Sequence, residues 1–320
     1  MAKVKVSIVV TVFNEEKTIK SLLDVLCKFP AEIIIVDGGS TDKTWNILTN
    51  YISPLRLRGD KGVILKIIQG KYNRSQGRNI GVTKARGQII AFTDAGCIPE
   101  PNWLEEITKP FYKKLPSTRL GEGRGVRYSE VQVVSGYYRG LPKNIFEKCL
   151  VPYVLVMPDK IPDEFLPSTR SMAITKELFI KSGGFDERLW HNEDYAFAHK
   201  LKNMGVNFYF ASKAVVGWMP RKDLKSSAWM FLRFAIGDAQ AGIFRPKIKI
   251  LAIRYYIYFF LIFINSWASL LIVPYFIWAI FKNYKYVKNI GAFFWLPVLQ
   301  LTSDICVLFG TIVVLLSRVK

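Results

Sequence analysis

Residues 75–103 read SQGRNIGVTKARGQIIAFTDAGCIPEPNW, and they predict a helix, a buried strand and a carboxylate at the end of that strand. Ser75 is predicted to cap a helix that ends at Gly87, and the apolar run 88–93 has the length of a buried strand. Asp94 therefore stands where that strand stops. Ligands of open α/β sheets bind at this carboxyl edge, so Asp94 is a candidate to face a phosphate through a divalent metal. The alternative is an aspartate that only caps the next helix.

The rest of the first hundred residues alternates strand and helix in the same way. Residues 6–12, 32–36 and 63–68 are further apolar runs of strand length, and helical patterns separate them. Four strand and helix units in succession favour a parallel, doubly wound α/β sheet. Such a sheet carries a nucleotide site across its carboxyl edge.

Polar side chains follow three of these predicted strands. Asn14 and Glu15 come after the first strand, Asp37 after the second and Asp94 after the fourth. Right-handed crossovers bring such strand ends to one side of the sheet, so we expect these side chains to converge. Arg78 lies in the helix ahead of the fourth strand and suits a diphosphate. The alternatives are a simple turn at Asp37 and a solvated Arg78.

Composition divides the chain into three parts. Residues 1–220 mix polar and apolar residues as a folded domain does, whereas residues 250–320 are dominated by aliphatic and aromatic side chains. Residues 221–249 interleave Lys and Arg with apolar residues, which predicts a basic amphipathic segment at a membrane interface. An ordinary amphipathic helix that closes the first domain is an equal alternative for this segment.

The C-terminal part is predicted to be a transmembrane tail. Its apolar runs 255–281 and 292–316 are each long enough to cross a bilayer, so two spans are expected. A hairpin turn at Asn265 and Ser266 would raise the number to three. Asp304 lies inside the last run and must face protein, because a carboxylate is costly in lipid.

Charge and cysteine content set wider bounds. The formal net charge of +20 suits nucleic acid, anionic lipid or an anionic small substrate, and charge alone does not choose among them. The four cysteines show no CxxC spacing, so they indicate neither a zinc site nor a disulfide framework. A reducing cytoplasm fits this pattern.

A set of short motifs, taken in order, resembles the family 2 glycosyltransferases. The set spans roughly residues 4–220, and the order makes it more specific than any one motif. The motifs are TVFNE at 11–15, DGGSTD at 37–42, GRNIG at 77–81, TDAG at 93–96, GGFDE at 183–187 and NED at 192–194.

This resemblance implies a GT-A fold, which is a Rossmann-like, parallel-rich sheet, and inverting transfer from a nucleotide-diphosphate sugar. Gly96 replaces the second acidic residue of the family's Asp-x-Asp triplet, so Mg²⁺ or Mn²⁺ would be held by Asp94, the donor diphosphate and water. The donor-binding residues implied by the resemblance are Phe13, Asn14, Glu15, Asp37, Arg78 and Asp94.

Inverting transfer needs a base for the acceptor hydroxyl and a group that stabilises the leaving diphosphate. The resemblance assigns the base to Asp194, near the start of a predicted helix, and acceptor binding to Glu193. Trp190 and Arg170 are weaker candidates on the acceptor side. The alternative is that Glu193 and Asp194 only balance the helix dipole.

These inferences predict a membrane-bound enzyme of the hexosyltransferase type. We expect a multi-pass protein of the cell membrane whose catalytic domain faces the cytoplasm, with a lipid-linked glycan as acceptor. The expected partners are the nucleotide sugar, the lipid-linked or glycan acceptor and membrane lipid, but not nucleic acid. Direct loading of a polyprenyl phosphate is one alternative, and a non-catalytic, membrane-anchored nucleotide-binding protein is another.

Overall fold

A computed structural model describes residues 5–58, 64–112, 115–116, 128–129 and 131–318. The chain divides into two compact units. Unit 1 comprises Met1–Arg139 and Ile161–Trp218, and unit 2 comprises Gly140–Lys160 and Met219–Lys320. Residues 140–160 therefore belong with the C-terminal helices, although they lie within the first predicted domain of the sequence.

The first half of the unit 1 sheet is parallel, as predicted. The strand order is β3-β2-β1-β4, and the register pairs Val12 with Asp37 and Asp37 with Gln69, so the strand ends share one edge. Every residue of β2 is buried, which explains its unbroken apolar run. The elements are β1 (Val6–Val12), α1 (Ile19–Leu26), β2 (Glu32–Asp37), α2 (Thr44–Arg58), β3 (Ile64–Gln69), α3 (Arg74–Lys84) and β4 (Ile89–Phe92).

The second half of the sheet lies beyond the four strands for which a parallel arrangement was predicted, and it contains antiparallel pairs. It continues in the order β4-β9-β8-β10-β5, and β9 runs antiparallel to both β4 and β8. Strands β4 and β9 are far apart in the chain and no single crossover helix joins them, so the parallel rule does not apply. The elements are β5 (Cys97–Pro99), α4 (Trp103–Thr108), β8 (Val133–Gly140), β9 (Met172–Thr175), α6 (Lys176–Lys181), α7 (Glu193–Asn203) and β10 (Phe208–Trp218). Leu115–Pro116 (β6) pairs with Tyr128–Ser129 (β7) in a separate small sheet.

Two glycines bring helix α3 close to the sheet. A Cβ atom at Gly81 would lie 2.4 Å from Val9 Cγ1, and one at Gly77 would lie 2.9 Å from Thr11 Cγ2. Helix α3 therefore packs directly on β1. Arg78, the residue after Gly77, lies near the carboxyl edge of the sheet. The predicted Ser75 cap is wrong, because Asn73 caps the helix in a capping box with Gln76.

An aromatic cluster fixes the elements that follow β9. The rings of Phe92, Phe179, Phe185 and Phe197 are buried, with neighbouring centroids 4.5 to 6.0 Å apart. They join β4 to helices α6 and α7 and to the turn between these helices. Met204 was also expected to face inward, but it is 44% exposed.

Unit 2 is helical. Helix α11 approaches α8 closely at Gly310, where a Cβ atom would lie 2.9 Å from Ala235 Cβ. The Tyr153 hydroxyl of α5 donates to the Leu296 carbonyl of α11 over 2.7 Å. The helices are α5 (Ile145–Val154), α8 (Leu224–Gln240), α9 (Pro246–Ile264), α10 (Ile272–Val287) and α11 (Ala292–Arg318).

The structure gives one candidate membrane span where two were expected. Among the described residues, Ala292–Ser317 is the one helical segment long and apolar enough to cross a bilayer. The other apolar run is interrupted, because α9 ends at Ile264 and a 3₁₀ turn, Ser266–Leu271, precedes α10. The break lies at the predicted position, Asn265 and Ser266.

Candidate active site

A buried arginine joins two of the predicted carboxylates. The Arg78 side chain is 4% exposed; its Nη2 donates to Asp94 Oδ1 over 2.9 Å and its Nη1 donates to Glu193 Oε1. The guanidinium lies 5.4 Å from the centroid of the Phe185 ring. Burial acts to lower the pKa of Arg78, but Glu193, Asp94 and Asp194 outweigh it and raise the pKa, so the guanidinium stays charged.

Asp194, the predicted base, lies in the same electrostatic environment. Its Oδ2 accepts from the Ser168 hydroxyl over 2.7 Å and its Oδ1 from the Tyr195 amide over 2.8 Å. Burial acts to raise the pKa of Asp194, but Arg170, Arg78 and the Ser168 hydroxyl lower it below the ordinary aspartate value. Asp194 is therefore ionised at neutral pH, as a base must be.

Arg170 is held by aromatic rings beside this carboxylate. Its guanidinium carbon lies 5.4 Å from the Tyr138 ring centroid and 5.9 Å from that of Trp218, and its Nη1 donates to Ser168 Oγ over 3.5 Å. Burial acts to lower the pKa of Arg170, but Tyr138 and Asp194 contribute to a net rise. The residue predicted for the acceptor side is thus a fixed positive charge near Asp194.

Glu193 occupies a more enclosed position than an acceptor-binding residue was expected to have. It is 3% exposed at the start of α7, where the preceding Asn192 has a left-handed φ of 53°. Its Oε1 accepts from Arg78, while its Oε2 is buried and meets no hydrogen-bond donor among the described residues. Trp190, on the preceding loop, is 63% exposed and open to a ligand.

The loop after β1 is tied to the loop after β2. The Asn14 side-chain oxygen accepts from the Thr41 amide over 2.8 Å, and the Asn14 amide donates to Ser40 Oγ over 2.9 Å. The sequence also places Asn14 where it could cap the first helix, but Asn14 has a left-handed φ of 55° and α1 begins only at Ile19, so Asn14 is not its cap. Its polar atoms instead fix the shape of both loops.

The neighbours of Asn14 differ in exposure. Phe13 is 57% exposed, and its ring approaches Gly38 of the second loop. The Glu15 amide donates to Thr44 Oγ1 over 2.7 Å, and the Glu15 carboxylate accepts from the Thr18 hydroxyl over 2.5 Å. These contacts place the two residues at the predicted edge of the sheet.

Asp37 reaches the predicted edge, but its carboxylate is occupied. The side chain is fully buried; its Oδ1 accepts from the Ser40 amide (3.1 Å) and hydroxyl (2.6 Å), and its Oδ2 accepts from Gln69 Nε2 (2.9 Å). It holds the loop after β2 in place. A donor group can bind this carboxylate only by replacing one of those partners.

The residues around Asp94 fit a divalent metal that arrives with phosphate. No group of three or more His, Cys, Asp or Glu side chains gathers within the described parts of the chain, so a site built from protein ligands alone is not formed. The Asp94 side chain is 33% exposed, however, and Mg²⁺ often takes one carboxylate with substrate phosphates and water. Two arginines against three carboxylates also leave one net negative charge when all are ionised, which favours a cation.

One motif has a role that sequence reasoning missed. Asn79 donates to the Phe185 carbonyl (2.9 Å) and to Glu187 Oε1 (2.9 Å), and its side-chain oxygen accepts from the Phe185 amide (3.0 Å). A Cβ atom at Gly184, where φ is 63°, would lie 2.6 Å from that oxygen. Asn79 therefore connects α3 to the GGFDE turn, and this contact places α7 with its carboxylates. Ser168 was also missed, because an isolated serine carries no sequence signal.

Comparisons with known proteins show which proteins this chain resembles. Residues 7–149 match the Glycosyl transferase family 2 model. The chain is 26% identical over 203 residues to poly(ribitol-phosphate) beta-N-acetylglucosaminyltransferase TarS of Staphylococcus aureus, a match that covers 61% of this chain and 32% of that protein. It is 30% identical over 118 residues to dodecaprenyl-phosphate galacturonate synthase of Rhizobium johnstonii, covering 34% of this chain and 33% of that protein. The chain thus spans about a third of the length of these curated relatives.

A solved structure resembles the chain over most of its length. The mannosyltransferase PcManGT of Pyrobaculum calidifontis, in complex with GDP-Man and Mn²⁺, has a TM-score of 0.58 and 17% identity. The match covers 97% of this chain and 88% of that chain. At this level of identity the likeness establishes the fold.

Proposed function

The chain is a family 2 glycosyltransferase with a GT-A fold, and we propose that it transfers a sugar, with inversion, from a nucleotide-diphosphate donor to a hydroxyl of a lipid-linked glycan. The observation that carries this proposal is that one buried arginine, Arg78, donates to Asp94 and to Glu193, the residue before Asp194. Asp94 lies at a strand end, where a donor phosphate binds in such sheets. Asp194 is ionised and is the proposed base.

In this proposal Asp194 accepts the proton of the attacking hydroxyl. Its low pKa keeps it ionised, and Ser168 and the Tyr195 amide fix the orientation of the carboxylate. Only a carboxylate within hydrogen-bond reach of the acceptor can do this work, so we assign the exposed Trp190 to holding the acceptor near it, whereas the buried Glu193 holds Arg78. Arg170 keeps the charge of Asp194 stable.

The donor is assigned to the edge formed by the loops after β1, β2 and β4. Phe13 offers an exposed ring, and Asn14 and Glu15 shape the loop beneath it, while Asp37 contributes through Ser40 or by exchanging a partner. Arg78 offers positive charge for the leaving diphosphate. A divalent metal held by Asp94, when bound, would add charge stabilisation for the same group.

A polyprenyl phosphate is the second candidate acceptor. The likeness to a dodecaprenyl-phosphate galacturonate synthase supports an alternative in which the sugar is loaded directly onto a polyprenyl phosphate. A phosphate acceptor already carries its negative charge at neutral pH, so that reaction does not need a base. The requirement for Asp194 therefore separates the two reactions.

We also propose that unit 2 holds the enzyme at the cytoplasmic face of the cell membrane. Helix α11 offers one candidate span, and the helices of unit 2 expose many large apolar side chains. Nucleotide sugars are made in the cytoplasm, so unit 1 is assigned to that side.

A donor screen tests the proposal. Purified full-length protein is incubated with a panel of nucleotide sugars, with and without Mg²⁺ or Mn²⁺, and with a membrane lipid extract as acceptor source. We expect transfer by the wild type, and a loss of about 10²- to 10⁴-fold in Asp194→Asn when the acceptor is a hydroxyl. Asp94→Ala should also lose transfer, through weaker donor and metal binding.

Asp163→Asn is the matched control, because Asp163 is an exposed aspartate of the same unit. It should keep wild-type transfer. Full transfer to a glycan hydroxyl by Asp194→Asn would contradict the assignment of the base. Transfer to a polyprenyl phosphate that persists in Asp194→Asn would favour the alternative reaction.

A further inference from the structure

A stretch of unit 2 without any charged residue forms an exposed apolar projection. No Asp, Glu, Lys or Arg occurs between Tyr255 and Phe281. We call residues 256–271, which comprise the end of α9 and the 3₁₀ turn, the apolar tip. Seven of its large side chains are between 53% and 90% exposed: Tyr256, Phe259, Phe260, Phe263, Ile264, Trp267 and Leu270.

The exposed side chains of the apolar tip do not form a single stripe. Tyr256, Phe260 and Phe263 recur at helical spacing on one side, while Ile257 and Ile264 are also about half exposed or more. An amphipathic helix that docks on protein has an apolar stripe and a polar face, whereas this helix end is apolar around its circumference. A helix that is apolar all round needs an apolar environment on all sides.

Several polar groups at the break in the apolar tip are paired within the tip. Asn265 Oδ1 accepts from the Trp267 amide (3.0 Å), and the Asn265 carbonyl accepts from the Ala268 amide (2.9 Å). The Tyr258 hydroxyl donates to the Ser269 carbonyl over 3.2 Å. Water would serve these groups in an ordinary surface loop, but in hydrocarbon they must be paired internally. This feature points to lipid rather than to a partner protein.

Cations border the charge-free stretch on both sides and contact aromatic rings. The Arg254 guanidinium lies 4.7 Å from the Tyr275 ring centroid, and the Lys282 ammonium lies 4.8 Å from that of Trp278. Lys or Arg together with Tyr or Trp is the combination found where proteins cross from lipid to headgroups. Insertion of the apolar tip alone therefore places no charged side chain in lipid.

We propose that the apolar tip inserts into the acyl chains of one leaflet and does not cross the bilayer. The charge-free part of α9, residues 255–264, is about 15 Å long at 1.5 Å per residue, which is half of the roughly 30 Å hydrocarbon core. The purpose of the insertion rests on the proposed function, since it would keep the enzyme beside a lipid-linked acceptor. Insertion itself depends on the apolar tip alone, whatever the acceptor is.

Cysteine accessibility in proteoliposomes tests this proposal. The full chain is reconstituted in phosphatidylcholine and phosphatidylglycerol vesicles, with Cys27 and Cys306 replaced by alanine and the buried Cys97 and Cys149 retained. Ile264→Cys reports on the apolar tip, and Ile180→Cys of unit 1 is the matched control, because the two isoleucines are 66% and 63% exposed. A membrane-impermeant maleimide is added outside, and then also inside permeabilised vesicles.

We expect the thiol of Ile264→Cys to stay unlabelled from both sides and the thiol of Ile180→Cys to be labelled completely. An environment-sensitive dye attached to Ile264→Cys in detergent before reconstitution should be quenched by lipids that carry a nitroxide in mid-chain. Labelling of the tip thiol from the side opposite to the control thiol would mean a full crossing. Labelling from the same side as the control would mean a tip in water, and either result overturns the proposal.

Transfer activity measured on the same vesicles separates this proposal from the proposed function. A protected thiol in Ile264→Cys with no transfer to any acceptor would refute the function and leave the insertion standing. Normal transfer by Ile264→Cys with its thiol labelled would refute the insertion alone.

Discussion

The two units of this chain place polar and apolar side chains in opposite ways. In unit 1 most large apolar side chains outside the site are interior, such as Trp103, which is fully buried, and Phe185, which is 2% exposed, and charged residues gather in a partly open cluster. In unit 2 Asp304 and Gln300 are 5% and 6% exposed, while Phe263 is 90% exposed. Unit 2 is thus the more apolar of the two at its surface.

The difference shows which solvent each unit is built for. Buried Asp304 accepts hydrogen bonds from the Tyr255 and Tyr275 hydroxyls and from Gln300 Nε2, so its charge is paired within the helices. This confirms the expectation that Asp304 faces protein. In unit 1 the buried Arg78 instead pairs with Asp94, whose side chain is 33% exposed and can meet a polar ligand. The same rule, that a charge needs a partner, produces a site in one unit and a helix contact in the other.

The largest effect on unit 1 should come from Arg78→Met. Glu193 would keep a buried carboxylate with no partner and Asp94 would lose its cation, which typically costs about 3–5 kcal/mol of unfolding free energy. We expect the melting temperature of unit 1, followed by tryptophan fluorescence, to fall by on the order of 10 °C. Arg188→Met removes an exposed ion pair with Asp186 and should change nothing measurable. If both variants melt alike, the charge cluster is not a stabilising feature of unit 1.

The contrast between the units also explains what the sequence could and could not predict. The parallel half of the sheet was predictable, because β1 and β2 are mostly aliphatic and the crossover rule fixes their common edge. The antiparallel half was not, since the pairing of β9 with β4 depends on contacts between distant residues. The break at Asn265 was predictable as an alternative from two polar residues in an apolar run.

Within the site, residue types were easier to predict than their partners. Asp94, Asp194 and Arg78 were predictable, because they lie in motifs that resemble those of the family 2 glycosyltransferases. That Arg78 would pair with Glu193, and that Asp37 would be occupied by Ser40 and Gln69, depends on distances that no local pattern encodes.

A smaller effect is expected at Ser168, and it tests the tuning of the base. The Ser168 hydroxyl donates to ionised Asp194, so Ser168→Ala removes a contact that favours the charged form and raises the pKa of that carboxyl. A hydrogen bond to a charged group contributes about 1.5–3 kcal/mol and one pKa unit is about 1.36 kcal/mol, so the pKa should rise by about one to two.

The base acts when it is ionised, so the acid limb of the kcat/KM profile should move to higher pH by that amount. Stability follows the same sign: a depressed carboxyl pKa stabilises the fold above the unfolded value of about 3.9, and this contribution is lost as pH falls through the folded value. Ser168→Thr keeps a hydroxyl and should restore the profile. A change in kcat alone, with the acid limb unmoved, would assign Ser168 a merely structural role.

The smallest change in stability is expected for a new carboxylate at Gly96. This position lies on the open side of the unit 1 cluster, whereas Asp304 of unit 2 is buried. An added Cβ atom at Gly96 would meet no heavy atom of the described residues within 4 Å, so Gly96→Asp should change the unfolding free energy by no more than about 0.5 kcal/mol. The new side chain would stand beside Asp94 and supply a second oxygen ligand, so Mn²⁺ should bind more tightly even without a nucleotide. Titration of bound Mn²⁺ by electron paramagnetic resonance measures this directly, and Asp163→Glu, which adds no carboxylate to the site, is the control. Unchanged Mn²⁺ affinity would show that the position of Gly96 does not face the metal, and that the charge cluster of unit 1 is organised around Arg78 alone.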